Sequence, residues 1–191
     1  MKQGRKISIV SRMFAVLLAV MMVCSNISLP SKAAETVQTI AAWEYKDKYS
    51  APSSLPAGAT SGSGQLNVTG ATYTGYSSKS LAANNWEEEG YWTISEINAE
   101  KYENLTFSAS LRSSNTGAKN FQLEYSLDKG QSWTVVDGGA VEITSTNLTQ
   151  LYKDVKLPAE LSGQNFALRV WIIFWIPKVL LFQVMRICLN R

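Results

Sequence analysis

The chain has 191 residues, a formal net charge of +3 and no histidine. The lack of histidine excludes Ser-His-Asp triads, Cys-His dyads and histidine-built zinc sites, because each needs an imidazole. Residues 34–170 hold fifteen acidic and ten basic residues, so this acidic segment is not expected to bind nucleic acid. Carboxylate chemistry and calcium, which takes oxygen ligands, stay open.

The first 33 residues contain a basic, an apolar and a small-residue segment in the order that is typical of a secretory signal peptide. Four basic residues lie within the first twelve, an apolar run follows over residues 13–23, and Ser31 and Ala33 are small residues before a cleavage site. The apolar run is too short to span a bilayer. We therefore predict cleavage before Ala34. The mature protein is predicted to be secreted or held at the cell surface and to have no membrane partner. An uncleaved N-terminal anchor is the alternative.

Both cysteines lie outside the predicted domain. Cys24 belongs to the signal peptide and Cys188 to the C-terminal tail, so residues 34–170 contain no cysteine to form a disulfide. The domain must therefore be held together by an apolar core, which a segment of about 130 residues is long enough to form.

The mature chain reads as a succession of short strands. Trp43 and Tyr45 share one face of the first strand, and a loop rich in serine, proline and glycine follows. Apolar and polar residues alternate most regularly over residues 105–112 and 121–127, which is the period of a strand with one buried face. The predicted strands cover residues 37–45, 65–74, 79–83, 91–97, 105–112, 121–127, 132–137, 140–145, 151–157 and 165–171.

This succession, with no amphipathic helix of useful length, is typical of an all-β protein. We predict a two-sheet antiparallel β-sandwich of the jelly-roll kind over residues 34–170. No internal repeat is visible, which argues against a propeller or a solenoid.

The C-terminal tail, residues 171–191, breaks the alternation. Between Val170 and Arg191 there is no Asp, Glu, Gly, Ser or Thr, so a strand with one solvated face is not expected there. A transmembrane anchor is one explanation, but Pro177, Lys178 and Arg186 interrupt a segment barely long enough to span a bilayer. We favour out-of-frame translation, which leaves the sandwich without its last native strand or strands and with an open sheet edge.

Residues 126–133 fit the pattern S-x-D-x-G-x-[S/T]-W, known as an Asp box. Asp128 suits an acceptor of turn amides, Gly130 suits a positive φ, and Trp133 can cover the hairpin. Sialidase-like propellers carry several copies of this pattern, whereas this chain carries one. We therefore interpret these three residues as a structural hairpin and not as a catalytic motif.

Four aromatic residues are candidates for stacking against sugar rings. Tyr73, Tyr76, Trp86 and Tyr91 lie in predicted turns or on the polar parity of strands. A ring at such a position can face solvent and pack against the apolar face of a sugar. Ordinary surface packing is the alternative for all four.

Glu87, Glu88 and Glu89 form the densest acidic segment. Carboxylates on such a loop can ligate calcium. No spaced D-x-D pattern accompanies them, and a solvated loop is the alternative. Calcium is thus the one cofactor that the sequence leaves open.

Three segments resemble an N-terminal β-sandwich module of large secreted proteins from Gram-positive bacteria: residues 91–95 (YWTIS), 102–108 (YENLTFS) and 112–117 (RSSNTG). In that group the module is similar to carbohydrate-binding jelly rolls and often precedes a phosphoesterase, a nuclease or another surface hydrolase. The resemblance implies a noncatalytic accessory module that binds a polysaccharide or cell-wall glycan, or positions its protein at the cell surface. A structural spacer is one alternative, and the N-terminal fragment of a secreted phosphoesterase or nuclease is the other.

Out-of-frame translation of the tail is testable on the source DNA. In a neighbouring frame the codons of Trp175 and the isoleucine after it encode aspartate, and those of Met185 and Arg186 commonly encode glutamate. We expect resequencing to reveal a shifted frame here, with a polar, turn-rich end to the sandwich in its place. An intact reading frame through residues 171–191 would refute this prediction.

Overall fold

The computed structural model describes residues 37–77, 80–174 and 180–189, with the backbone alone for residue 174 and for 180–189. The predicted signal peptide, residues 1–33, lies outside this part of the chain, so its cleavage and the export of the protein stay predictions. A single short 3-10 turn, Ala159–Leu161, accompanies the strands of the described residues. No helix among those residues is long and apolar enough to cross a membrane.

Thirteen strands follow one another in the described part of the chain. Most of them are short. Their bounds are Gln38–Trp43 (β1), Ala57–Gly58 (β2), Ser61–Gly62 (β3), Gln65–Thr69 (β4), Thr72–Ser77 (β5), Ser80–Asn84 (β6), Tyr91–Asn98 (β7), Leu105–Ser113 (β8), Asn120–Ser126 (β9), Thr134–Glu142 (β10), Thr149–Lys156 (β11), Asn165–Phe174 (β12) and Leu180–Leu189 (β13).

The strands pair into two sheets. Sheet A has the order β11-β8-β13-β1-β3, and the β5–β6 hairpin joins it through β6 and β13. Sheet B has the order β10-β9-β12-β7-β4-β2. The strand pairs of both sheets are antiparallel. This arrangement confirms the predicted all-β, two-sheet antiparallel β-sandwich.

The inward-facing residues of the two sheets form one apolar core. In sheet A, β8 contributes Phe107 and Leu111. In sheet B, β9 contributes Phe121 and Leu123, and the indole of Trp92 on β7 is fully enclosed. These residues occupy the strand positions that the alternation of apolar and polar residues in the sequence predicts to be buried. Each buried side chain of this size contributes roughly 1.5–3 kcal/mol, and together they stabilise the domain without a disulfide.

The polar side of β8 is less solvated than the alternation predicts. Thr106 and Ser108 are both buried. Ser108 Oγ donates a hydrogen bond to Asp154 Oδ1 at 3.0 Å and accepts one from the Asp154 amide at 2.9 Å. Asp154 lies in an irregular part of β11 and has a φ of +48°. This kink brings Asp154 onto β8 and satisfies the buried hydroxyl.

The described residues of the C-terminal tail, 171–174 and 180–189, are part of the sandwich. β12 runs past Val170 to Phe174, and β13 pairs with β8 along one edge and with β6 and β1 along the other. β12 therefore runs through residue 170, where the domain is predicted to end, and β13 occupies the place that the prediction leaves as an open sheet edge. A domain boundary at residue 170 stays a prediction. A sheet without β13 would leave the facing edges of β1 and β8 with unpaired backbone groups. An out-of-frame origin of the tail stays a prediction.

Phe107→Ala should lower the free energy of unfolding by about 3–5 kcal/mol, because it replaces a fully buried ring with a cavity. The ring packs against Tyr152 at a centroid distance of 5.3 Å. Urea unfolding followed by tryptophan fluorescence measures this loss. Tyr49→Ala truncates an exposed ring and, as the control, should change stability by no more than about 0.5 kcal/mol. Similar values for the two variants would contradict the described core.

Candidate functional site

The candidate site lies on the outer face of sheet B, which is turned away from the core. Directly paired residues of neighbouring strands share a face, so the register of the strands identifies this surface. One row joins Glu124 of β9, Arg169 of β12 and Thr93 of β7. The row beside it includes Trp171 of β12 and Tyr91 of β7. Three strands thus bring charged and aromatic side chains together on a surface that faces solvent.

Arg169 lies among three aromatic rings, Tyr91, Trp133 and Trp171, which we call the ring cluster. The guanidinium carbon is 4.6 Å from the ring centroid of Trp133, 5.2 Å from that of Trp171 and 5.3 Å from that of Tyr91. These distances are within the range of cation–π attraction. The rings of Tyr91 and Trp133 also contact each other, with centroids 6.4 Å apart. All three residues are half-buried, so part of each remains accessible.

Glu124 holds Arg169 in place. The Nε atom of Arg169 donates to Glu124 Oε2 at 2.6 Å, and the two side chains are 18% and 7% exposed. Charges that are largely withdrawn from water interact more strongly than exposed ones. The guanidinium is therefore fixed in one orientation, and the rings of the cluster pack around a positioned group.

An open groove of about 750 Å³ continues the outer face beside the ring cluster. Its lining includes Ala167 of β12 and Ser95 of β7, each two residues along its strand from the row of Arg169. Small side chains at these two positions leave a depression in the face. Opposite Ala167, β7 has an irregular register, and Glu96 there has a φ of +58°, which re-aims its side chain. The lining consists of Ser63, Ser95, Glu96, Asn98, Leu127, Lys129, Asn165, Phe166 and Ala167.

The Asp-box turn, residues 126–133, borders both parts of the site. Leu127 and Lys129 line the groove, and Trp133 belongs to the ring cluster. Gly130 has a φ of +88°, and a Cβ atom added there would lie 3.2 Å from the Trp133 ring. Glycine adopts this φ without strain and leaves room for the indole to lie close over the turn.

Asp128 organises the Asp-box turn through its carboxylate. Its Oδ1 atom accepts hydrogen bonds from the Ser126 hydroxyl at 2.7 Å and the Ser132 amide at 2.9 Å, and its Oδ2 atom accepts one from the Ser132 hydroxyl at 2.5 Å. The Ser132 hydroxyl and amide, followed by the Ser126 hydroxyl, hold the pKa of the Asp128 carboxyl well below its usual range. The charged form of Asp128 is thus the one that stabilises the turn.

Three exposed apolar side chains lie at separate positions along sheet B. Val135 is directly paired with Glu124, Ile173 follows Trp171 by two residues on β12, and Leu127 lines the groove. All three are exposed.

The three tyrosines predicted to stack on sugars lie in two different places. Tyr91 belongs to the ring cluster. Tyr73 and Tyr76 lie on β5, which belongs to the other sheet. Their hydroxyls donate to the carbonyl oxygens of Pro52 at 2.8 Å and Lys46 at 3.1 Å. These two tyrosines therefore tie the loop after β1 to sheet A and are not part of the site on sheet B.

Trp86 lies in the core, which corrects the prediction of an exposed ring at this position. It is 4% exposed, packs against Trp92 with ring centroids 6.1 Å apart, and donates from Nε1 to the Ala83 carbonyl at 3.0 Å. Gly90 makes this placement possible, because a Cβ atom there would lie 2.6 Å from the Trp86 ring. The loop after β6 therefore turns its indole inward.

The acidic segment Glu87, Glu88 and Glu89 is exposed. Its backbone forms a turn, in which the Glu87 amide donates to the Gly70 carbonyl at 2.7 Å and the Glu87 carbonyl accepts from the Gly90 amide at 3.1 Å. Within the described residues, no group of three or more Cys, Asp or Glu side chains is arranged to hold a metal ion. Calcium binding at this loop stays a prediction.

Arg169, Trp171 and Glu124 are not among the site residues predicted from the sequence. The first two flank the core residue Val170, so their parity alone indicates a shared outer face. Glu124 is different, because its contact with Arg169 depends on the register between β9 and β12, strands far apart in the sequence. No local pattern indicates that register.

No protein-family model matches the chain, and no curated protein sequence matches it. Among solved structures, the chain is similar to a mutant of a family 29 carbohydrate-binding module, with 11% identity, a TM-score of 0.48, and coverage of 80% of this chain and 91% of that one. A family 29 carbohydrate-binding module from Piromyces equi has 10% identity and a TM-score of 0.45, covering 81% and 91%. The C-terminal family 6 module of a marine laminarinase from Zobellia galactanivorans has 14% identity and a TM-score of 0.44, covering 63% and 90%.

The stability of the protein should fall as the pH is lowered through the acid range. Because folding lowers the pKa of Asp128, its contribution is complete above the pKa of the unfolded chain, about 3.9, and is lost as the pH falls below that value. Thermal unfolding at a series of pH values measures this loss. Asp128→Asn should flatten the profile. Ser132→Ala removes the hydroxyl that lowers the pKa of Asp128 most, so it should reduce the loss of stability at low pH. If neither variant changes the dependence of stability on pH, this role of Asp128 is contradicted.

Proposed function

We propose that this chain is a noncatalytic glycan-binding module of an exported protein, and that sugars bind across the outer face of sheet B. The ring cluster supports contact with the apolar face of a sugar. The adjoining groove supports hydrogen bonds to sugar hydroxyls, since serine and asparagine side chains line it together with Glu96 and Lys129. Export is inferred from the predicted signal peptide.

The observation that carries this proposal is the position of the ring cluster. The outer face of a sandwich sheet is commonly solvated and polar. Here Tyr91, Trp133 and Trp171 come from three separate segments of the chain and meet on that face, where there is no core for them to fill. Convergence of apolar surface and a few polar groups on a concave region is typical of a ligand site.

The noncatalytic role is supported by the partners of the carboxylates. Hydrolysis of a glycosidic bond commonly needs two carboxyl groups that flank the scissile bond. Glu124 is bonded to Arg169 and Asp128 to Ser132, so both maintain the structure. Among the described residues that line the groove, Glu96 is the one carboxylate. The described lining of the groove therefore lacks the two carboxyl groups that hydrolysis of a glycosidic bond commonly needs.

Affinity electrophoresis of the full-length chain tests the proposal. Native gels contain soluble polysaccharides of different backbones, such as hydroxyethylcellulose, galactomannan and xylan, and at least one should retard the protein. Tyr91→Ala and Trp171→Ala should each weaken that binding about tenfold or more, because truncation of an aromatic ring at the centre of a contact commonly costs about 2 kcal/mol or more.

Tyr49→Ala is the matched control. Tyr49 is exposed and follows β1 of sheet A, outside the ring cluster and the groove. Its truncation should leave the retardation unchanged. If no polysaccharide retards the protein, the result favours the structural spacer. If retardation occurs and all three variants behave alike, sugars bind at a surface other than this face of sheet B.

A further inference from the structure

The candidate site contains two positive and two negative side chains, and two further carboxylates lie beside it: Asp128 in the Asp-box turn, and Glu100, whose Oε1 atom accepts from Asn165 Nδ2 at 2.9 Å. Arg169 is paired with Glu124 at 2.6 Å, and Lys129 lines the same groove as Glu96. Residues 34–170 carry more acidic than basic groups, so the field around the site does not attract polyanions. The other polar residues of the groove have uncharged side chains, and they are Ser63, Ser95, Asn98 and Asn165.

Because it is paired with Glu124, Arg169 is a poor binding group for the carboxylate of an acidic sugar. A free guanidinium binds a carboxylate through two parallel hydrogen bonds. In this site the Nε atom of Arg169 is bonded to Glu124, and the ring cluster packs around the guanidinium. A ligand carboxylate at the remaining Nη atoms would lie close to Glu124, and like charges repel strongly where water is largely excluded.

We propose, on the basis of the function proposed above, that the site takes uncharged glycan chains and that Glu124 is the residue that sets this preference. By neutralising Arg169, Glu124 leaves the rings as apolar contact surface without a net charge. Replacement of Glu124 by glutamine keeps the shape and uncovers a positive charge between the rings. The preference thus rests on repulsion of the wrong ligand as well as on attraction of the right one.

Polymer pairs that share a backbone and differ in charge test this inference. Affinity electrophoresis of the full-length chain at low ionic strength compares hydroxyethylcellulose with carboxymethylcellulose, and galactomannan and xylan with their carboxymethylated forms. The wild-type protein should bind at least one uncharged polymer and bind its anionic partner at least about tenfold more weakly. Glu124→Gln should strengthen anionic binding about tenfold, and added salt should remove that gain.

Two further variants keep the test decisive if Glu124→Gln unfolds. Glu96→Gln removes an exposed negative charge from the groove that Lys129 also lines, so it should also strengthen anionic binding. Glu103→Gln removes the same charge from the loop before β8 and should leave the ratio unchanged. Equal or tighter binding of the anionic polymer by the wild-type protein would overturn the inference and leave the proposed function standing. Absence of binding to every polymer would overturn both.

Discussion

Consecutive residues of a β-strand point to opposite faces of the sheet, and this constraint joins the core of the protein to its candidate site. On β12, Leu168, Val170 and Ile172 are buried in the core. Arg169 and Trp171, which lie between them, therefore face outward. One strand thus holds the sandwich together and places the centre of the ring cluster. Packing defects in β12 are expected to disturb the surface as well as the interior.

The Glu124–Arg169 pair extends this coupling across the sheet. It links β9 to β12 at directly paired positions, and both side chains are largely shielded from water. Breaking a fully buried pair by removing one partner commonly costs about 3–5 kcal/mol, since the other charge is left poorly solvated. Arg169 also contacts the rings from β7 and from the Asp-box turn. Stability and surface geometry therefore depend on the same two side chains.

The fold is predictable because strand period is a property of the local backbone, and the alternation of β8 and β9 is regular. The Asp-box turn is predictable for a similar reason, since its hydrogen bonds join residues at most four positions apart. Register between distant strands has no local signature, so the contact of Glu124 with Arg169 escapes prediction. The sequence predicts an exposed ring at Trp86, but the loop turns this side chain inward beside Gly90. Polar residues do not alternate with apolar ones in the sequence of the tail, so β13 is recognised as a strand only from its pairing in the sheet.

The Asp-box turn is a self-contained scaffold at the border of the groove. Its shape is maintained by bonds among its own residues, whereas Leu127 and Lys129 point away from those bonds and line the groove. Substitutions at these two positions change the lining of the groove without altering a core strand. The chemistry of the groove lining at Leu127 and Lys129 can therefore be changed by substitution at one hairpin end, apart from the residues that build the turn and the core.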